Sequence, residues 1–240
     1  MEWKRMVGSR AFYPALLLAI AGILAGVNWP TEHKVLETGT FYILWNEALT
    51  SDALVFFLPL ASVLAYGDSF VQDIRSSYIR ILISRQDRKA YVRDRMRVCM
   101  FSGGLIWLLA GICSFLILFL LLFFREGTGA WDPKVLQEAF WRLVRLVLIG
   151  SWCSAMAGAF GAFFLSSYMA FGLPFLSYYL LIILHDRYFQ GYAAIDPVEW
   201  LKLQKDWGDN GIGAYLVILA LIILFVVLGK MAMGERLEEI

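Results

Sequence analysis

The sequence predicts an all-α, polytopic membrane protein with six transmembrane helices, and three observations predict it. Hydrophobic residues make up 60% of the 240-residue chain and charged residues only 17%, a balance well outside that of ordinary soluble domains. The apolar residues gather into six stretches, each near the roughly 20 residues needed to cross a bilayer. Lys and Arg are then distributed unevenly among the segments joining those stretches, as in loops sorted by side during insertion. The net charge of +1 points to no class of partner. Cys99, Cys113 and Cys153 sit in or beside apolar runs, with no CxxC and no neighbouring histidine, which suits packing rather than a disulfide or zinc role.

The first span covers residues 11–27, behind Lys4, Arg5 and Arg10. It is long and has no small-x-small exit immediately before Trp29-Pro30, so it reads as a retained span rather than a signal peptide. The second, 49–66, lies in "EALTSDALVFFLPLASVLAY"; the others are 98–124, 143–165, 169–185 and 212–229. Pro59 and Pro174 are candidate kinks in spans two and five. In "DPKVLQEAFWRLVRL", Asp132 is an N-cap and Pro133 the first helical residue, so a helix should start there and run into span four. "DPVEWLKLQKDW" repeats the device with Asp196 and Pro197; Glu199 completes a capping box, and Trp200, Leu203 and Trp207 fall at helical spacing. A short surface helix is expected there, within an outer loop of residues 186–211.

With six spans, the N-terminal segment, the loop after span two, the turn after span four and the tail share one side, and they hold 13 of the 21 Lys and Arg residues. Both termini are therefore expected in the cytosol. Small residues recur on span one as Gly22 and Gly26, and on span four as Gly150, Ser154, Gly158 and Ala162, with Gly161 alongside. Such ladders let backbones approach closely, either within one subunit or at an interface between subunits.

Chemistry-bearing residues are scarce. Inside the spans the only Asp, Glu, Lys or Arg residues are Arg145 and, in the first turn of span two, Asp52, so no intramembrane ion or proton relay is evident. Arg142 and Arg145 at the outer start of span four are possible contacts for an anionic substrate or lipid head group. Glu138, four residues before Arg142, also allows a local ion pair. The histidines, His33 and His185, are far apart; His33 with Glu37 and His185 with Asp186 fall short of a metal site or a catalytic set. No catalytic residue, metal site or cofactor is expected in this chain.

One cationic segment stands out, "YGDSFVQDIRSSYIRILISRQDRKAYVRDRMR" at residues 66–97. Phe70, Ile74, Tyr78 and Ile81-Leu82 place an apolar stripe on a helix over 69–83, with Gln72, Asp73 and Arg80 largely opposite. Ser84 and Asp87 form an S-x-x-D start for a second helix that carries Tyr91 and Arg95 into span three. A cytosolic helical hairpin over 67–97 follows. It fits a membrane anchor gripping anionic lipids or, with its ordered turn, a dock for a soluble protein. Nothing there interleaves aromatics for base stacking, so nucleic acid is not an expected partner.

At these residues the chain resembles the type-2 permeases of bacterial ATP-binding-cassette exporters, in particular the short six-span kind associated with peptide-antibiotic export and self-immunity. The resemblance rests on Phe70, Asp73, Ser76-Ser77, Ile81-Leu82-Ile83, Ser84-Arg85, Tyr91 and Arg95, and on chain length and span arrangement. The family more often has Glu at the place of Asp73, Gly-Thr at Ser76-Ser77 and Lys at Arg95. The resemblance implies one transmembrane domain over 1–240 in the bacterial cytoplasmic membrane, paired with a second copy or a related permease. It also implies a coupling helix seated on a cytosolic ATPase, present in two copies, which supplies ATP and Mg. Phe70, Asp73, Ile74, Tyr78, Arg80, Ser84, Arg85, Arg88 and Tyr91 would then form the coupling interface. No GxxxxGK[ST] motif occurs in the sequence, so nucleotide chemistry would belong to the partner chain. The cargo class implied is amphiphilic: a peptide antibiotic, a lipid or a hydrophobic drug. The alternative is a membrane scaffold or sensor that recruits a cytosolic protein through the same hairpin without transporting anything.

Overall fold

Long apolar stretches satisfy their backbone polar groups internally by winding into helices, and the computed structural model of the protein is helical with no strand among its described residues. These are residues 2–29, 39–76, 79, 87–122, 126, 132–205, 207–208 and 211–238. In chain order the α-helices are α1 (Glu2–Val7), α2 (Phe12–Ala25), α3 (Thr40–Ala48), α4 (Asp52–Leu64), α5 (Ser69–Arg75), α6 (Arg88–Leu122), α7 (Pro133–Phe164), α8 (Ser167–Tyr188), α9 (Pro197–Lys202) and α10 (Ile212–Glu238). Five segments are long and apolar enough to cross a membrane: Asp52–Arg75, which joins α4 and α5, and helices α6, α7, α8 and α10. This is a multi-pass helical membrane protein.

The segment expected as the first span is shorter than the others. Helix α2 has 14 residues, about 21 Å at roughly 1.5 Å per residue, against a hydrocarbon core of about 30 Å. It still runs antiparallel to α4: Ser9 Oγ donates to the Ala65 carbonyl 3.4 Å away near the start of α2, and a Cβ on Gly26 would lie 2.0 Å from Ser51 Oγ at its far end. Ser51 itself caps α4 by accepting from Leu54 N–H at 3.2 Å.

Helix α7 is the centre of the bundle. From Leu146 to Ala162 nearly every side chain is buried, whereas α8 and α10 leave apolar faces exposed, among them Leu176 at 62% and Ile223 at 63%. This outward apolar surface is what a lipid-facing helix requires. The small residues expected on span four allow the close approach of α6. A Cβ on Gly103 would meet the Gly150 carbonyl at 2.3 Å, and one on Gly150 would meet Trp107 Cδ1 at 2.4 Å. Ser154 Oγ donates to the Cys99 carbonyl at 2.6 Å and lies 3.0 Å from Ser102 Oγ. Gly158 faces Cys99, Gly161 faces Ala170, and Gly22 faces Phe57. Both ladders thus pack inside one chain.

The sequence signals at helix starts divide. Asp132 caps α7 through Lys134 N–H at 2.9 Å with Pro133 first in the helix, as expected. The helix before span three starts later than the Ser84 signal: Asp87 is the cap, accepting from Ala90 N–H at 3.2 Å. Helix α9 is capped by Asp196 through Val198 N–H at 2.9 Å, but the capping box does not close and the helix is shorter than its periodicity. Glu199 Oε2 instead accepts from the N–H groups of Gln204 and Lys205, at 3.2 and 3.1 Å. Leu203 turns left-handed at φ 50°, which ends α9 before Trp207. Helices α7 and α8 are joined by Leu165, at φ 49°, and Ser166.

Candidate functional site

Helices α1, α5 and the start of α6 meet at one end of the bundle, and their polar residues close a buried network there. Arg95 projects from the apolar face of α6 that also carries Tyr91 and Cys99, since positions four apart share a helix face. It is 1% exposed. Its guanidinium pairs with Asp73 Oδ2 at 2.7 Å and with Glu2, donates to the Ser69 carbonyl at 2.5 Å and to the Tyr66 hydroxyl, and lies 4.7 Å from the centre of the Tyr66 ring. Arg5 Nη2 reaches the other oxygen of Asp73 at 2.7 Å. Tyr91 donates its hydroxyl proton to Asp73 Oδ2 at 2.9 Å, and Tyr66 donates to Glu2 at 3.1 Å.

Two guanidiniums thus balance two carboxylates, each of which also accepts from a phenol; Arg95 and Asp73 lie out of water, while Arg5 keeps 37% of its side chain exposed. Each buried charge has an opposite partner, the condition under which burial is tolerated. Burial alone would raise the Glu2 carboxyl, but Arg95 and then Arg5, with hydrogen bonds from Arg95 and Tyr66, bring it below its ordinary value. Burial would lower Arg5; its hydrogen bond and charge contact with Asp73, and then Glu2, outweigh this and raise it.

The network redistributes the residues that the sequence singled out. Phe70, Asp73 and Tyr91 are buried, Ile74 is partly buried, and Arg88 is exposed. Asp73 therefore faces the interior and is held by three partners instead of presenting its carboxylate to a second protein. Val71, beside Phe70, packs against α7: a Cβ on Gly161 would lie 3.4 Å from Val71 Cγ2. Tyr78, Arg80, Ser84 and Arg85 lie outside the described residues, as do His33 and Glu37. Glu2, Arg5 and Tyr66 complete the site without having been singled out for it, and Arg95, expected only as a position of the family motif, is its centre. The available signal was Arg95 sharing a helical face with Tyr91 and Cys99, which places an arginine on the inward side.

At the opposite end of the bundle, α9 forms a cover over α7 and α8 rather than a peripheral surface helix. Trp200 and Leu201 are buried, and the Trp200 and Trp152 rings meet edge-on at 5.1 Å. Arg145, 6% exposed, clasps this cover by donating from Nε to the Leu201 carbonyl at 3.2 Å and from Nη1 to the Tyr215 hydroxyl at 3.3 Å. Arg142 donates to the Asn46 carbonyl at 3.0 Å and lies 3.6 Å from Glu138, the local pair its spacing allows. His185 is buried with Nδ1 3.4 Å from Asp196 Oδ2 and Nε2 3.0 Å from Lys205 Nζ. Lys205 also donates to the Gln190 carbonyl at 2.5 Å. Burial pushes the Asp196 carboxyl up, only partly offset by the Val198 N–H and His185. Among the described residues no group of three or more His, Cys, Asp or Glu side chains is placed to hold a metal ion.

No protein-family model matches the chain, and no curated protein matches it.

Proposed function

We propose that the protein is the membrane-spanning permease subunit of an ATP-driven exporter in a bacterial cytoplasmic membrane, with six spans and both termini in the cytosol. A separate cytosolic ATPase, in two copies, docks on the 67–97 segment, and a second permease subunit completes the pathway. The cargo is an amphiphile: a peptide antibiotic, a lipid or a hydrophobic drug. The observation that carries this reading is the buried network of Glu2, Arg5, Tyr66, Asp73, Tyr91 and Arg95. It ties the N-terminal helix, the segment after α4 and the base of α6 into one rigid unit.

A push on residues 76–88 is therefore transmitted through Asp73 and Arg95 into α6, and from α6 across the Gly103–Gly150 contact into α7. Packed elements with two arrangements move as units, and a buried ion-pair network is a stiff joint for such a movement. The roles within the 67–97 segment divide accordingly. Arg80, Arg85 and Arg88 make the polar docking contacts, with Tyr78 and Ile74 beside them. Phe70, Asp73 and Tyr91 form the joint behind that surface, and Ser84 belongs to the same docking segment.

The test is recovery of the tagged protein from its native membranes in mild detergent, with identification of co-purifying chains and an ATPase assay. Recovery of a soluble Walker-motif ATPase, lost in Arg85→Glu/Arg88→Glu while insertion and melting temperature are retained, is the expected result. Recovery of no ATPase removes the energy source, and leaves the segment as an anchor or scaffold contact.

A further inference from the structure

Beside the network, where α6 begins and α10 ends, lies an open groove of about 470 Å3. Four cations border it: Arg88, Lys89 and Arg93 from the first two turns of α6, and Lys230 from α10. Its two carboxylates are Asp87 and Glu238, and that of Asp87 is engaged by the Ala90 N–H. Arg93 Nε lies 3.5 Å from its neighbour Asp94, while Arg88, Lys89 and Lys230 form no ion pair among the described residues. Val92 and Leu237 supply apolar walls. Gly234 leaves the α10 side open, since a Cβ built there meets nothing within 4 Å.

The groove also has a direction. Lys230 is the first charged residue after the run Ile212–Gly229, so it stands where the apolar length of α10 ends. Ile223 and Val227 are exposed at 63% and 47%, and each stands seven residues before Lys230 and Gly234 respectively. That spacing, about two turns, puts them on the same helical face. An exposed apolar stripe thus leads directly into a cationic recess at the boundary of the hydrocarbon layer.

We infer that this groove is a binding site for one anionic phospholipid. Its phosphate sits among Lys89, Arg93 and Lys230, and an acyl chain lies along Ile223 and Val227. Charge complementarity selects the headgroup: four cations against two carboxylates attract an anion, and phosphate accepts from several Lys and Arg donors at once. Continuity with the apolar stripe selects a lipid over a soluble anion or an acidic protein, neither of which uses the length of α10 inside the bilayer. The site goes beyond the transport reading and does not depend on it.

The experiment is native mass spectrometry of the full-length, delipidated protein in non-ionic detergent. It is titrated with phosphatidylglycerol, with phosphatidylcholine of the same acyl chains, and with inorganic phosphate as competitor. One phosphatidylglycerol should bind in preference to phosphatidylcholine, with affinity falling about fivefold for each cation removed in Arg93→Gln and Lys230→Gln. Gly234→Leu fills the groove without changing charge and should also displace the lipid, with its melting temperature as the folding control. Equal binding of both lipids, or affinity unchanged in all three variants, would overturn the site. Displacement by phosphate at concentrations matching the lipid would assign the groove to a soluble anion. Displacement by a co-purified soluble protein would assign it to a protein partner; either result overturns the lipid.

Discussion

Arg95 is a single side chain on which three helices depend. Removing one member of a buried charge network strands the others, at a typical cost of about 3–5 kcal/mol. Arg95→Met should accordingly lower stability by that order in denaturation of the detergent-solubilised protein, and Glu2→Gln/Asp73→Asn in the same background should recover part of it. Arg95→Lys should not rescue, because one ammonium cannot span Glu2, Asp73 and the Ser69 carbonyl as a planar guanidinium does. Full stability in Arg95→Met would show that the network carries no load. The sequence disclosed only half of this site. Asp73 was visible as an acid on a cationic segment, and the helix expected over 69–83 is present around it as α5, which ends at Arg75 with Ser76 as its C-cap. Its partners Arg5 and Arg95 stand 68 and 22 positions away, and no local periodicity reports which distant helix will bring a cation to it. The expectation of an outward carboxylate followed from treating the segment as one amphipathic surface helix, when its first turns pack against α7.

At the scale of elements, helix starts were legible wherever the signal was local and chemical. Asp-Pro marked α7 and α9 because a carboxylate cap and a proline at the first position act within three residues. Helix ends were less legible: α9 stops because Glu199 binds the N–H groups of Gln204 and Lys205, a choice made by folding back rather than by spacing. The glycine ladders were legible as close contacts but not in their partners. Their two kinds of environment give opposed expectations. Gly150→Ala drives a Cβ to 2.4 Å from Trp107 and should cost about 1–3 kcal/mol as overpacking. Gly172→Ala, inside α8 with nothing within 4 Å, should stabilise by about 0.5–1 kcal/mol by removing glycine from a helix interior. Thermal unfolding of the two variants in the same detergent checks both signs; similar losses in the two would remove the close α6–α7 approach as the cause.

For the whole molecule, composition alone gave the membrane class and five of the passes, because about 20 apolar residues leave the chain few alternatives. The first pass was the exception, since the apolar run of residues 11–27 contains a helix of only 14 residues. Single cysteines at Lys4 and Trp29, on either side of α2, in a background free of Cys99, Cys113 and Cys153, decide whether α2 spans. Under the six-span reading, membrane-impermeant reagents label the two from opposite sides; labelling from the same side would reduce the count to five. The two-residue link between α7 and α8 bears on a different event, the synthesis of the chain. Two residues reach at most about 7 Å, far too little for a loop to wait in water while one helix enters the bilayer without the other. Residues 133–188 therefore enter the membrane as a single hairpin, and the central helix of the finished bundle becomes committed only once α8 has left the ribosome.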